Sequence, residues 1–128
     1  MPAPLPLDHP RKEGLSRDDF VVAPGNAVAL AMVEGWRGWP DGKLVLTGPS
    51  GSGKTHLAHV WAGMTGGRIV SARDLSGADI PALAAAPLAV EDVDRIAAPE
   101  AEDALFHLHN LMRAERQPLL LTGARIVA

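Results

Sequence analysis

Residues 48–55 have the types and the spacing of a phosphate-binding loop. They read Gly-Pro-Ser-Gly-Ser-Gly-Lys-Thr and match the pattern Gly-x-x-x-x-Gly-Lys followed by Ser or Thr. The glycines allow the backbone to curl, so that its N–H groups point inward around phosphate oxygens. Lys54 is expected to reach the β- and γ-phosphates, and the hydroxyl of Thr55 to bind a magnesium ion, which prefers oxygen ligands. A chance glycine-rich turn is the alternative, and the flanking strand and helix patterns disfavour it.

Two adjacent carboxylates, Glu91 and Asp92, follow a short apolar run further along the chain. Hydrolysis of a nucleotide requires a carboxylate beyond a neighbouring strand, to hold magnesium and to polarise water. We therefore predict Glu91 and Asp92 as catalytic residues and, together with Thr55, as metal ligands. The alternative is that the pair only caps a strand at the surface. Asp94 and Arg95 then form either a solvated turn or a polar cluster that faces another subunit.

Short apolar runs alternate with stretches of helical periodicity, and these elements must position the loop and the carboxylates. The predicted strands are 43–47, 68–71, 88–90 and 119–122, and the predicted helices are 26–36, 54–64, 74–86 and 99–115. Pro81 marks either the start of the third helix or a break in it. Strands that alternate with helices predict a parallel sheet covered on both faces. Residues 1–19 are rich in proline and then in charge, which predicts an extended arm before a nucleotide-binding core over 20–128.

The composition is that of one ordinary globular domain. The 128 residues are 47% hydrophobic and 21% charged, enough for a real core but not for two domains. The net charge of −3 gives no support for a strongly basic DNA-binding face. The absence of cysteine excludes disulfides and thiolate metal sites. With no signal-peptide pattern and no apolar run of about 20 residues, we expect a cytoplasmic protein without a membrane helix.

Histidine and tryptophan offer weaker signals than the loop. His56 and His59 have no third ligand nearby and are expected to pack or to cap rather than to bind a metal. His107 and His109 fall on different faces of one predicted helix, which argues against a shared metal. The residues expected to pack rather than to stack on bases are Trp36, Trp39 and Trp61.

Several segments together resemble the AAA+ ATPases of the DnaA family, especially the Hda group of DnaA regulators. Residues 17–22 with Asn26 resemble the entry motif of the family, which lies beside the adenine, and residues 48–57 resemble its phosphate loop. Residues 91–95 resemble its acidic motif. Residues 105–111 and 119–122 resemble the helix that follows and the strand that carries sensor 1. The resemblance covers roughly residues 5–125. It implies an α/β fold, the three-layer P-loop NTPase architecture of AAA+ type, with a parallel sheet flanked by helices.

The resemblance also implies a function. An Hda-like protein binds ATP or ADP with Mg2+ and regulates DnaA-dependent initiation of chromosomal replication, with DnaA and the DNA-polymerase sliding clamp as partners. Its clamp-binding peptide resembles residues 4–10, although Pro4 stands where the family has glutamine. A DNA-loader or transposition-helper AAA+ ATPase, and a small-molecule P-loop kinase, are the alternatives. The residues predicted to bind the nucleotide are Phe20, Val21, Asn26, Gly48, Pro49, Ser50, Gly51, Ser52, Gly53, Lys54, Thr55 and His56.

Three departures from the family pattern predict weak hydrolysis at best. Glu91 precedes Asp92, whereas the family places aspartate first, near the metal. Ala124 stands near the usual polar sensor residue, and alanine cannot form a hydrogen bond with a γ-phosphate. The lid subdomain, with its sensor 2 arginine, and the family's arginine finger are absent from the sequence, and the role of Arg125 is open.

Overall fold

The computed structural model describes residues 20–22, 27–49 and 51–124. The strands in this part of the chain are β1 Phe20–Val22, β2 Lys43–Thr47, β3 Arg68–Ser71, β4 Leu88–Glu91 and β5 Leu119–Gly123. The α-helices are α1 Ala27–Glu34, α2 Lys54–Thr65, α3 Ile80–Leu83 and α4 Pro99–Ala114. The predicted α/β class with a parallel sheet flanked by helices is therefore confirmed. Across the described residues, no helix combines the length and the apolar character needed to cross a membrane.

The five strands form one all-parallel sheet in the order β1-β2-β5-β4-β3. The last strand, β5, thus lies between β2, which leads into the glycine loop, and β4, which ends at Glu91. Because the strands are parallel, their carboxyl ends share one edge of the sheet, where ligands of open α/β sheets bind. The topology alone therefore brings the loop and the carboxylates to the same edge.

Strands β2, β4 and β5 are buried on both faces, as inner strands of a parallel sheet are. Their side chains alternate between two cores. The core on the α3 and α4 side includes Val45, Leu88, Val90, Leu119 and Leu121. The core on the α1 and α2 side includes Leu44, Leu46, Ala89 and Leu120. This alternation decides which helix layer each residue near a strand end faces.

Helix α2 begins and ends at glycines in the left-handed region. Gly53 precedes it with φ 104°, and Gly66 follows it with φ 73°. The N–H of Gly66 donates to the carbonyl of Ala62 at 2.9 Å, which satisfies one carbonyl of the last turn. The predicted helix over 54–64 is confirmed, with one further residue at its end.

The predicted extent of the helix over 74–86 is wrong, but a helix does start with Pro81 in its first turn, as one of the two predicted alternatives had it. A 3-10 turn covers Ala72–Gly77, and the α-helix that follows has four residues, Ile80–Leu83. Proline has no N–H and clashes with the preceding turn, so Pro81 fits only the first turn of a helix. Asp79 caps this short helix, since its Oδ1 accepts from the N–H of Ala82 at 3.2 Å. Pro81 therefore sets a late start rather than a bend within one long helix.

The sequence predicts four strands, and the structure has one more, β1, at the start of the described residues. It has three residues and pairs with β2 only, with Phe20 opposite Leu44 and Val21 opposite Val45. Sequence reasoning assigned this stretch to the segment beside the adenine instead. A run this short carries too little periodicity to be recognised as a strand.

Tryptophan packing agrees with the expectation. Trp39 and Trp61 are buried, and their rings stack with centroids 5.4 Å apart. The indole N–H of Trp39 donates to the carbonyl of Met32 at 2.7 Å, which joins α1 to this core. Trp36 is half-buried, and the guanidinium of Arg37 lies 4.5 Å from its ring centroid.

Candidate functional site

The glycine loop leaves β2 and enters α2 through two residues that require glycine. Gly51 has φ 83° and Gly53 has φ 104°, and L side chains rarely adopt these values. A Cβ on either residue meets no atom within 4 Å, so the backbone conformation and not the available space demands glycine. The N–H of Gly48 donates to the carbonyl of Gly123 at 3.2 Å, which fixes the start of the loop to β5.

Lys54 lies at the first turn of α2 with its ammonium inside the loop. The residue is only 8% exposed. Its Nζ donates to the carbonyl oxygens of Gly48 and Pro49, the second at 3.0 Å. The loop thus folds around a positive charge at the amino end of a helix, where the helix dipole also favours an anion.

The loop borders an open cavity of about 280 Å³ at the carboxyl-end edge of the sheet. The residues that line this phosphate cavity are Gly51, Gly53, Lys54, Thr55, His56, Asp92 and Thr122. Every one of them is either a glycine, whose backbone is accessible, or a residue with a polar side chain. Such a lining suits a charged group rather than an apolar ligand.

The structure brings Thr55 and Glu91 together across 36 positions of sequence. The hydroxyl of Thr55 donates to Oε1 of Glu91 at 3.3 Å. The other carboxylate oxygen, Oε2, is buried and has no hydrogen-bond partner among the residues that the structure describes. Glu91 is not among the residues that line the phosphate cavity, but it contacts Thr55, which is.

Asp92 reaches the cavity because its backbone is left-handed, with φ 62° and ψ 44°. On β4, Ala89 belongs to the core on the α2 side, and Val90 belongs to the core on the α4 side. Continued alternation places Glu91 on the α2 side and would send Asp92 to the opposite face. The left-handed turn ends the alternation at Asp92, and Asp92 lines the cavity. The two carboxylates thus occupy different places around one site.

Thr122 is the residue of this site that sequence reasoning missed. It is 2% exposed, near the end of β5, and it lines the cavity. Its Oγ1 accepts from the N–H of Asp92 at 3.3 Å. The sequence does contain a signal, because a hydroxyl ends a run of three leucines. The family resemblance places the polar sensor residue near Ala124 instead. The N–H of Ala124 donates to Oδ1 of Asp94 at 3.0 Å.

For four of the residues predicted to bind the nucleotide, the structure describes no side-chain contact. Phe20 and Val21 lie in β1, where only backbone pairing is described. Asn26 and Ser50 lie outside the described residues, as do the arm over 1–19 and its clamp-peptide segment. The adenine and clamp contacts therefore stay predictions.

His56 and His59 on α2 were expected to pack or to cap; both are exposed, so the packing alternative is wrong. His56 lines the phosphate cavity. Nδ1 of His59 lies 2.9 Å from the carbonyl of Thr55; it carries the proton and donates. On α4, His107 is exposed and His109 is half-buried, which confirms that they lie on different faces.

The donor set fits magnesium held jointly with a nucleotide rather than by protein alone. No group of three or more histidine, cysteine or acidic residues able to hold a metal occurs among the described residues. Magnesium in nucleotide sites is held by one or two protein groups together with substrate phosphates and water. Thr55 and Asp92 line the cavity and supply such groups, and Glu91 accepts a hydrogen bond from the Thr55 hydroxyl.

A second polar cluster lies at the opposite edge of the sheet, where β2 begins. Nζ of Lys43 donates to Nδ1 of His109 at 2.8 Å. Burial lowers the pKa of His109 to about 4, and the charges of Lys43 and Arg113 act in the same direction, while Asp41 opposes them. The cavity beside this pair has a volume of about 10 Å³, the size of one water. This cluster is separate from the phosphate cavity.

Comparison of the chain with protein-family models, with curated proteins and with solved structures gave no match. The resemblance to DnaA-family ATPases therefore rests on the quoted segments of this sequence alone. The structure itself defines the class, an α/β protein with a parallel sheet flanked by helices.

Proposed function

We propose that this chain binds ATP or ADP with Mg2+ through the loop 48–55. The observation that carries the proposal is the meeting of four features at one cavity. These features are the left-handed glycine loop, the enclosed Lys54 ammonium, the Thr55–Glu91 contact and the Asp92 carboxylate. The loop follows one strand and the carboxylates lie at the end of another, so a chance glycine turn does not explain why they lie close together.

Phosphate binding rests on Lys54 and the loop amides. The Lys54 ammonium, now bonded to two loop carbonyls, exchanges those contacts for phosphate oxygens. The ammonium is the charged donor in both cases, and the exchange is favourable because a phosphate oxygen carries negative charge and a carbonyl oxygen does not. The amino end of α2 adds its dipole at the same place.

Magnesium bound with the nucleotide neutralises phosphate charge. The Thr55 hydroxyl would hold the ion through an oxygen lone pair while it keeps donating its hydrogen to Oε1 of Glu91. Glu91 would thereby orient the Thr55 hydroxyl. Asp92 lines the cavity, and its carboxylate would accept a proton from an attacking water.

Hydrolysis is expected to be weak. Among the described residues no arginine lines the phosphate cavity, and the lysine that does so is Lys54. An arginine at the transferred phosphoryl group is worth about 10³–10⁵ in rate in related hydrolases. The site is better suited to sensing a nucleotide than to turning it over quickly.

The Hda-like resemblance suggests the biological role, regulation of DnaA-dependent replication initiation together with the sliding clamp. The test is capture of the protein on an immobilised clamp with and without ADP. Binding through residues 4–10 is expected to be weak and to tighten in Pro4→Gln, which restores the glutamine of the family. Binding that survives deletion of residues 1–10 would contradict this part of the proposal.

Calorimetric titration with ADP tests the nucleotide site. Lys54→Ala is expected to weaken binding about 10- to 100-fold, because one charge-assisted contact is worth about 1.5–3 kcal/mol. Lys12→Ala is the matched control, since it removes the same charge from the N-terminal arm. Equal affinities for wild type and Lys54→Ala would refute the assignment.

A further inference from the structure

Two hydrogen bonds between side chain and backbone tie the turn after β4 to the end of β5. The N–H of Asp92 donates to Oγ1 of Thr122 at 3.3 Å. In the other direction, the N–H of Ala124 donates to Oδ1 of Asp94 at 3.0 Å. Each bond spans 30 positions of sequence, so local chain geometry does not account for them.

The turn they hold contains an unusual backbone conformation. Asp92 adopts the left-handed region, which is unfavourable for L residues, although less so for aspartate than for most others. Such a conformation persists only where the surroundings enforce it. Among the described residues, the other non-glycine residues with positive φ are Asp41 and Arg116, both exposed and outside the phosphate cavity. Asp92 alone combines this conformation with a place in the site.

The acceptor for the Asp92 amide is a rigid one. Thr122 is almost fully buried and lies in β5, which pairs with β2 on one side and with β4 on the other. Opposite Thr122 on β2 is Leu46, two positions before the loop begins at Gly48. The hydroxyl of Thr122 therefore has a fixed position relative to both the loop and the turn.

We propose that Thr122 is a positioning residue that acts through Asp92. Its hydroxyl oxygen holds the Asp92 amide, keeps the backbone left-handed, and thereby keeps the Asp92 carboxylate in the wall of the phosphate cavity. Asp94 secures the same turn from the other side through the amide of Ala124. The consequence for magnesium-dependent binding rests on the proposed nucleotide function, whereas the hydrogen bond itself does not.

Hydrogen exchange of the Asp92 amide, followed by NMR without nucleotide, tests the bond directly. Thr122→Val keeps the shape and removes the hydroxyl, so exchange at Asp92 is expected to become about tenfold faster. Thr122→Ser keeps the hydroxyl and is expected to retain the protection. If Thr122→Val folds poorly, Asp94→Ala and Asp94→Asn provide a second pair of variants for the same measurement. Asp94→Ala removes the acceptor of the Ala124 amide, so exchange at Asp92 is expected to become faster, whereas Asp94→Asn keeps an acceptor oxygen and is expected to retain the protection. An Asp92 amide that is unprotected in wild type, or equally protected in Thr122→Val, would overturn the proposal.

ADP titration with and without Mg2+ tests the consequence. Thr122→Val is expected to reduce the gain in affinity due to Mg2+ to the level of Asp92→Asn, and to have no further effect in the Asp92→Asn background. Thr122→Ser is expected to retain the gain. Equal weakening with and without Mg2+ would overturn action through Asp92. Absence of ADP binding in wild type would instead refute the proposed function, and hydrogen exchange would still decide the role of Thr122.

Discussion

Acidification is expected to weaken the fold through His109, far from the phosphate cavity. His109 accepts a hydrogen bond from the buried Lys43, so its protonation places two positive charges 2.8 Å apart. Its pKa falls from 6.5 to about 4 on folding, mainly through burial. The unfolded chain therefore binds a proton at a higher pH than the folded chain does, and stability falls as the pH falls from 6.5 through about 4.

The size of the effect follows from that pKa difference. A pKa difference of one unit between the folded and the unfolded chain corresponds to about 1.36 kcal/mol, so the difference at His109 corresponds to about 3 kcal/mol before solvent screening is considered. Because His109 is only half-buried, solvent screening reduces the expected contribution to about 2 kcal/mol. It is present above pH 6.5 and is lost near pH 4.

Urea unfolding followed by tryptophan fluorescence, between about pH 7 and about pH 4.5, measures this loss. His109→Asn keeps an acceptor that does not titrate, so it should lose less stability than wild type over that range. His107→Asn is the matched control, because His107 is exposed on the same helix, and it should follow wild type. Identical losses in wild type and His109→Asn would refute the reasoning.

Two further predictions concern the loop and its chemistry. Gly53→Ala is expected to cost about 1–2 kcal/mol of stability and to abolish ADP binding, because φ is 104° there. Gly63→Ala, in an open position of α2 without positive φ, is expected to stabilise by about 0.5–1 kcal/mol; thermal unfolding and ADP titration of both variants check this. Single-turnover assays with labelled ATP are expected to give rates well below roughly 1 s⁻¹, lower still in Asp92→Asn and Glu91→Gln. A rate at or above that value would show that an unidentified arginine completes the site.

Most elements could be predicted because their signals are local. The strand over 43–47 has three consecutive apolar residues at its centre and lies between a turn and the glycine loop, and the structure confirms both bounds. Helix α2 was recognised by its position between the loop and Gly66, a left-handed C-terminal glycine. In both cases the punctuating residues lie next to the element in sequence.

The parts that could not be predicted depend on distant contacts. The strand β1 exists through its pairing with β2, and three residues carry no pattern of their own. The left-handed turn at Asp92 is held by Thr122, 30 positions away. Sequence reasoning could pair Glu91 and Asp92, but it could not predict that Asp92 lines the cavity, because the left-handed backbone at Asp92 interrupts the strand alternation.

The central claim, that residues 48–55 bind nucleotide phosphates, is tested most directly by an NMR titration of the protein with ADP and Mg2+. We expect the largest changes in amide shift at Gly51, Gly53, Lys54 and Thr55, with a smaller change at Asp92. In Lys54→Ala these changes should require an ADP concentration about 10- to 100-fold higher. The absence of any change at the loop at saturating ADP, or changes confined to the opposite edge around His109, would contradict it.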